Sequence, residues 1–171
     1  MNIIPTQEEV VAVLRETGAL RDGHFEYPGG MHSNEYLQVP LAMRYYQYQR
    51  MLSVGLSRLL RAKQVYWAEK ENDIEPLRFR QFLEQHPGEQ VVLVDDILRT
   101  GSKLAELKKL LESRGATVVG LAVVIYQPVP DTHDFGALPL YYLAKLEASY
   151  YADASHCELC KQGIPLEKVW V

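Results

Sequence analysis

Cysteine is nearly absent from this chain: there are two among 171 residues, Cys157 and Cys160. A disulfide-stapled secreted scaffold needs several spaced pairs, so that class is excluded. The two thiols form one CxxC with a single nearby histidine, His156. That segment does not supply four ligands for a tetrahedral zinc ion within one chain. Reduced thiols packed near the C-terminus are therefore expected, with a metal shared between subunits as the alternative. Long apolar runs are missing too: none approaches the ~18 residues of a membrane helix, and the start MNIIPTQEEVVAVL lacks the basic region and cleavage site of a signal peptide. A cytoplasmic protein with no membrane partner is expected. Runs of Lys and Arg are also lacking, and the formal net charge is -4. Phosphate-backbone binders concentrate basic charge on one face, so nucleic acid is not the expected partner.

What remains is a chain with 47% hydrophobic and 23% charged residues, enough for one domain with a proper core. Thr6 and Glu9 have the spacing of a capping box, and the apolar stripe after them predicts a helix over 6–17, ending before Gly18. GHFEYPGGMHSNEYLQV places a Pro-Gly-Gly turn between two aromatic-rich stretches and predicts a hairpin. A second helix is expected from Tyr45 to about Ala62, then a strand over Gln64 to Ala68 and a charged loop, AEKENDIEPLRFRQFLEQHPGEQ. A strand over Gln90 to Val94 leads into a helix from about Ser102 to Arg114, with Gly115 at its C-terminal end. Thr117 to Tyr126 is almost continuously apolar, as in a strand covered on both faces, and Pro139 to Ala144 offers another. Strand, helix, strand order predicts an α/β protein with a mainly parallel sheet flanked by helices.

The stretch VVLVDDILRTGSK, residues 91–103, carries the chemistry. An apolar strand runs into two carboxylates, Asp95 and Asp96. An unpaired buried carboxylate is costly, so the pair should face an opening and something that binds it. In an open parallel sheet, ligands lie beyond the carboxyl ends of the strands. The free amides and positive end of the Ser102 helix favour a phosphate there, Gly101 lets the backbone approach it, and Thr100 and Ser102 add hydroxyl donors. Carboxylates for hydroxyl groups beside a loop for a phosphate together describe a sugar phosphate. Acidic residues after a strand often merely cap the next helix. Two of them, before Thr-Gly-Ser, are much less ordinary.

This stretch resembles the phosphoribosyl-pyrophosphate signature of the type I phosphoribosyltransferases. TGALRDGHF and GGMHSNEY resemble the N-terminal region of the orotate enzymes of that family, and CELCKQGIPLEK is similar to the C-terminal segment of bacterial members. The resemblance implies a hood of N-terminal helix and hairpin over residues 1–40, an α/β core over 41–150 and a C-terminal segment over 151–171. It implies that Asp95 and Asp96 lie along the ribose hydroxyls, and that Ile97, Leu98, Arg99, Thr100, Gly101 and Ser102 wrap the 5′-phosphate. AEKENDIEPLRFR resembles the family's flexible catalytic loop, so Lys70, Arg78 and Arg80 are its candidates for stabilising the leaving pyrophosphate; for Lys70, between Glu69 and Glu71, a solvated surface position is the competing reading. Mg²⁺ held mainly by the substrate, phosphoribosyl pyrophosphate and a base as substrates, and a homodimer are also implied. His32 and Tyr36 are expected to order the hairpin or a subunit contact, His24 to pack locally, and Tyr45, Tyr46 and Tyr48 to form a helix surface or dimer contact.

The chain departs from the family at two places. Between Leu60 and Val65 it has only Arg61, Ala62, Lys63 and Gln64, where family members carry a strand, a Gly-rich pyrophosphate-binding loop and a helix. Either that loop is lost or an internal segment is missing from the sequence. The Lys and Arg that suit an anionic pyrimidine are also absent: Pro28 and Gly29 precede Gly30, and Ile125, Tyr126 and Gln127 end the later strand. The reading is thus a phosphoribosyltransferase acting on orotate or another pyrimidine. The alternative is a degenerate homologue that binds phosphoribosyl pyrophosphate or a nucleotide as a sensor.

Overall fold

The computed structural model describes residues 4–62, 88 and 90–169. The first helix, α1 (Gln7–Glu16), starts where the capping box requires: Thr6 Oγ1 accepts the Glu9 amide at 3.3 Å and the Glu9 carboxylate accepts the Thr6 amide at 2.8 Å. Its buried stripe is Val10, Val13 and Leu14. The expected hairpin is β1 (Leu20–Glu26) paired antiparallel with β2 (His32–Leu37), closed by Gly29 and Gly30 at positive φ. A short helix not anticipated from the sequence, α2 (Val39–Met43), follows with Pro40 in its first turn, where a missing amide proton costs no helix bond. The second expected helix is α3 (Tyr46–Ala62). Its Gly55 lies where an added Cβ would come within 2.5 Å of the Pro5 ring, so the absence of a side chain sets how closely α3 packs on the chain start.

Strand β3 (Gln90–Leu98), helix α4 (Ser102–Ser113), strand β4 (Thr117–Tyr126) and strand β5 (Leu140–Lys145) form the core, with all pairings parallel in the order β3-β4-β5. Gly115, with φ 87, ends α4 as the sequence suggests, its amide and that of Ala116 returning to Glu112 and Leu111. Strand β4 explains the layering. Ala122 and Val124 face a core built with α1 and α3, while Leu121 and Val123 face a second one built with α4. Each fully buried aliphatic side chain here contributes about 1.5–3 kcal/mol, and the period of two in the strand distributes them over both faces.

One boundary moves. The strand predicted to stop at Val94 continues through the two carboxylates to Leu98, because Ile97 and Leu98 stay in register with Ile125 and Tyr126 of β4. Charged residues are uncommon in strands, so the sequence pattern reads Asp95 as a terminator. The partner strand overrides it. The strand expected at Gln64–Ala68 lies outside the described residues.

The C-terminal segment returns to the hairpin. Strand β6 (Tyr150–Tyr151) pairs with β2, a one-turn helix α5 (Glu158–Lys161) follows, and β7 (Glu167–Lys168) pairs parallel with β1. The resulting four-stranded sheet, β6-β2-β1-β7, packs Phe25, Tyr27, Tyr36 and Val169 into a small core of its own.

Candidate functional site

Asp95 and Asp96 occupy the carboxyl half of β3, half-buried, and each is engaged locally: the Asp96 amide donates to Asp95 Oδ1 and the Ile97 amide to Asp96 Oδ1, both at 2.9 Å. Burial, and then the adjacent Asp95 carboxylate, push Asp96 up to about 6. Two neighbouring carboxylates in a partly dry site resist ionising together, so the pair is poised for a hydroxyl donor or a cation.

The loop after them is shaped for an anion. Gly101 stands at the start of α4 with φ 75, and no side chain caps the helix. The Ser102 amide reaches Thr100 Oγ1 only at 3.4 Å, and the two hydroxyls lie 3.2 Å apart. Amides without strong internal partners at a helix start bind phosphate. A neighbouring loop braces this turn: Thr132 Oγ1 donates to the Arg99 carbonyl at 2.7 Å, and the His133 amide to the Thr100 carbonyl at 2.7 Å. A Cβ on Gly101 would approach the Phe135 ring to 2.8 Å, so the turn is closed on that side as well as left-handed. Nothing in the sequence singled out 132–135 as part of the site, since its contribution is a backbone contact set by the fold.

Arg99 lies in the expected phosphate loop by its backbone, but its side chain turns away from it. Its side chain points into the hairpin: Nη2 donates to the Leu37 carbonyl at 2.9 Å and to the Tyr27 hydroxyl at 3.3 Å, and Nε donates to Gln127 Oε1 at 3.1 Å. Gln127 is fully buried and fully used, also accepting from Tyr150 at 2.8 Å and donating to Glu35 at 3.0 Å. Burial drives Tyr150 up to about 12, which keeps it a donor, and raises Glu35, with Asp22 adding to the effect. Gln127 follows the last residue of β4, and its side-chain oxygen fixes the Arg99 guanidinium that reaches it from the loop after β3. Lys70, Arg78 and Arg80 lie outside the described residues.

A strand bearing paired carboxylates, an uncapped glycine-led helix start and a parallel sheet converge at one edge of the core. Residues 49–135 match the family model described as phosphoribosyl transferase domain. This chain belongs to the phosphoribosyltransferase family. It is a pentosyltransferase by that membership. Among curated relatives, the orotate phosphoribosyltransferase of Thermotoga maritima is 33% identical over 91% of this chain and 94% of its own length, and that of Pelotomaculum thermopropionicum is 30% identical over 95% and 96%. The Thermotoga comparison runs over 181 positions while drawing on 91% of 171 residues, which leaves about 25 positions of the relative without a counterpart here. Two solved structures share the fold: orotate phosphoribosyltransferase from Aeropyrum pernix, with TM-score 0.54, 19% identity and 80% of this chain covered, and Leishmania donovani UMP synthase, with TM-score 0.55, 20% identity and 85% covered. They cover 93% and 37% of those chains respectively.

A second cluster lies in the hood. His24 and His32 approach each other and both cysteines, with ligand atoms all within 4.8 Å of one another. The expectation that the CxxC lacks further ligands considered only its own segment; β1 and β2 bring two histidines to it.

Proposed function

We propose that this phosphoribosyltransferase joins orotate to the ribose of phosphoribosyl pyrophosphate and releases pyrophosphate. The observation that carries the reading is the half-buried Asp95–Asp96 pair directly before the uncapped Gly101 turn. Asp95 and Asp96 accept hydrogen bonds from the ribose hydroxyls and favour positive charge developing on the sugar ring. The amides of the Thr100–Ser102 turn and the start of α4 hold the 5′-phosphate. Arg99 supplies the cation for an anionic pyrimidine, with Nε held by Gln127 and Nη2 by Tyr27 and Leu37. A guanidinium is always charged, and these bonds fix where that charge sits.

The carboxylate oxygens also suit Mg²⁺, a hard cation that prefers such donors and keeps substrate phosphates in its shell. When bound, it offsets the charge of the pyrophosphate. We assign Lys70, Arg78 and Arg80 to the departing pyrophosphate, and a cytoplasmic homodimer as the working form. Tyr45 and Tyr46, 50% and 73% exposed, are available to a subunit contact. Among the described residues no helix is long and apolar enough to cross a membrane. The sensor alternative gains no support from the relatives named above, which carry enzyme names.

The test is orotidine monophosphate formation from phosphoribosyl pyrophosphate, Mg²⁺ and orotate, with uracil and purine bases as comparisons. Turnover on orotate that falls about 10³-fold in Asp95→Asn with Asp96→Asn, at unchanged circular dichroism, supports the reading. Equal turnover in that variant would sink the site, and turnover confined to another base would sink orotate.

A further inference from the structure

The hood cluster shares no residue with the transfer site proposed above, and its geometry is specific. His24 reaches it through an irregularity in β1: the register with β2 shifts between Asp22 and Phe25, so His24 and Phe25 are buried in succession where a regular strand would alternate. Gly23 permits this, since a Cβ there would lie 2.9 Å from the Phe25 ring. His32 opens β2 and is 3% exposed, as is His24. Cys157 immediately precedes α5 and is fully buried, and Cys160 lies within that helix. The two ends of the chain thus place four metal-binding side chains around one point.

Four of the six ligand-to-ligand distances are close to the edges of a tetrahedron, and all six lie within 4.8 Å. His24 Nε2 lies 2.9 Å from His32 Nδ1, 3.4 Å from Cys157 Sγ and 3.6 Å from Cys160 Sγ, and His32 Nδ1 lies 3.4 Å from Cys160 Sγ. Zn–N bonds near 2.0–2.1 Å and Zn–S bonds near 2.3 Å imply ligand-to-ligand edges of about 3.3–3.8 Å. Of these four, the nitrogen pair is shorter than that range by a few tenths of an ångström.

Hydrogen bonding serves this arrangement poorly. His24 Nδ1 donates to the Ile164 carbonyl at 2.8 Å, which leaves Nε2 as a bare acceptor with one lone pair. Three groups converge on that lone pair. A single cation on the far side of all four atoms satisfies them together, and two thiolates make the buried site neutral with a divalent ion. The Ile164 carbonyl is then the outer partner that fixes a ligating imidazole, a role commonly found around zinc.

We propose that His24 Nε2, His32 Nδ1, Cys157 Sγ and Cys160 Sγ bind one Zn²⁺ in a closed structural site that fastens the C-terminal segment to the β1–β2 hairpin. Two sulfurs and two imidazoles in a tetrahedron select zinc, and four protein ligands leave no position for a substrate. Thiol protons leave to solvent on binding.

The test uses untagged full-length protein, purified under reducing conditions without added metal. Elemental analysis should give about one zinc per chain, and Co²⁺ added after chelator treatment should give the intense visible bands of a tetrahedral ion with thiolate charge transfer in the near ultraviolet. Cys157→Ser and His32→Ala should each lower metal affinity at least ~100-fold. Should those variants fail to fold, the wild-type Co²⁺ spectrum and the drop in its melting temperature on chelation still decide. Zinc below about 0.1 per chain together with the spectrum of a hydrated octahedral Co²⁺ ion would overturn the site, as would a Co²⁺ spectrum unchanged in Cys157→Ser.

Discussion

The residues from Asp95 to Ser102 put carboxylates, an anion loop and a helix start into one unbroken stretch, whereas the hood cluster draws four residues from β1, β2 and the C-terminal segment, up to 136 positions apart. The first is organised by local geometry: a strand ends, a left-handed glycine turns the chain, and a helix begins. The second exists only because β6 and β7 come back to flank the hairpin. A contiguous site can be destroyed without loosening the fold, while an assembled one doubles as a clasp.

Crossing the two sites should give opposite results, and this is the largest expected effect. Asp95→Asn with Asp96→Asn should remove about three orders of magnitude of turnover at no loss of melting temperature. Cys157→Ser with Cys160→Ser should lower melting by on the order of 10 °C while kcat, measured well below the transition, stays within about twofold. If both variants lose stability alike, the division between site and clasp is wrong.

Gly101→Ala tests the local half more finely. A residue with a Cβ at φ 75, facing the Phe135 ring at 2.8 Å, should cost about 1–3 kcal/mol of stability and raise KM for phosphoribosyl pyrophosphate. A normal KM would show that the turn does not hold the phosphate. Arg99→Lys should raise KM for orotate roughly tenfold and leave KM for phosphoribosyl pyrophosphate nearly unchanged, because an ammonium cannot keep the bonds to Gln127, Tyr27 and Leu37 that hold the charge in place. The reverse pattern would return Arg99 to the phosphate.

The smallest effect is a pH slope. Asp96 is held near 6, above the ordinary value of 3.8, so the folded protein binds more protons than the unfolded chain between those values. Its contribution to stability is therefore present at low pH and is lost as pH rises through about 6. Melting curves of Asp96→Asn against wild type should coincide near pH 4 and separate by a few degrees in favour of the variant above pH 6. A gap that does not change with pH would mean that neither burial nor the Asp95 carboxylate raises Asp96 in the folded protein.

The candidate site was legible because its signals are short-range. The apolar run of β3, the Thr-Gly-Ser turn and the Leu spacing of α4 each report a backbone state within a few residues, and the capping box at Thr6 did the same for α1. Asp95 was misread as a strand terminator, since only the partner strand shows that pairing continues to Leu98. Arg99 was grouped with the expected phosphate loop by its position in sequence; its side chain follows the partners waiting at Leu37, Tyr27 and Gln127, which no local pattern shows.

By itself the sequence determined the element order, the parallel core and the strand, turn and helix that carry Asp95, Asp96 and Gly101, all consequences of periodicity and local turn chemistry. Only the tertiary structure decided where Arg99 points, what Gln127 orients and that His24, His32, Cys157 and Cys160 meet. Those depend on strand register and on the chain's return to its own beginning, and no local pattern encodes the distance between residues that the fold alone brings together.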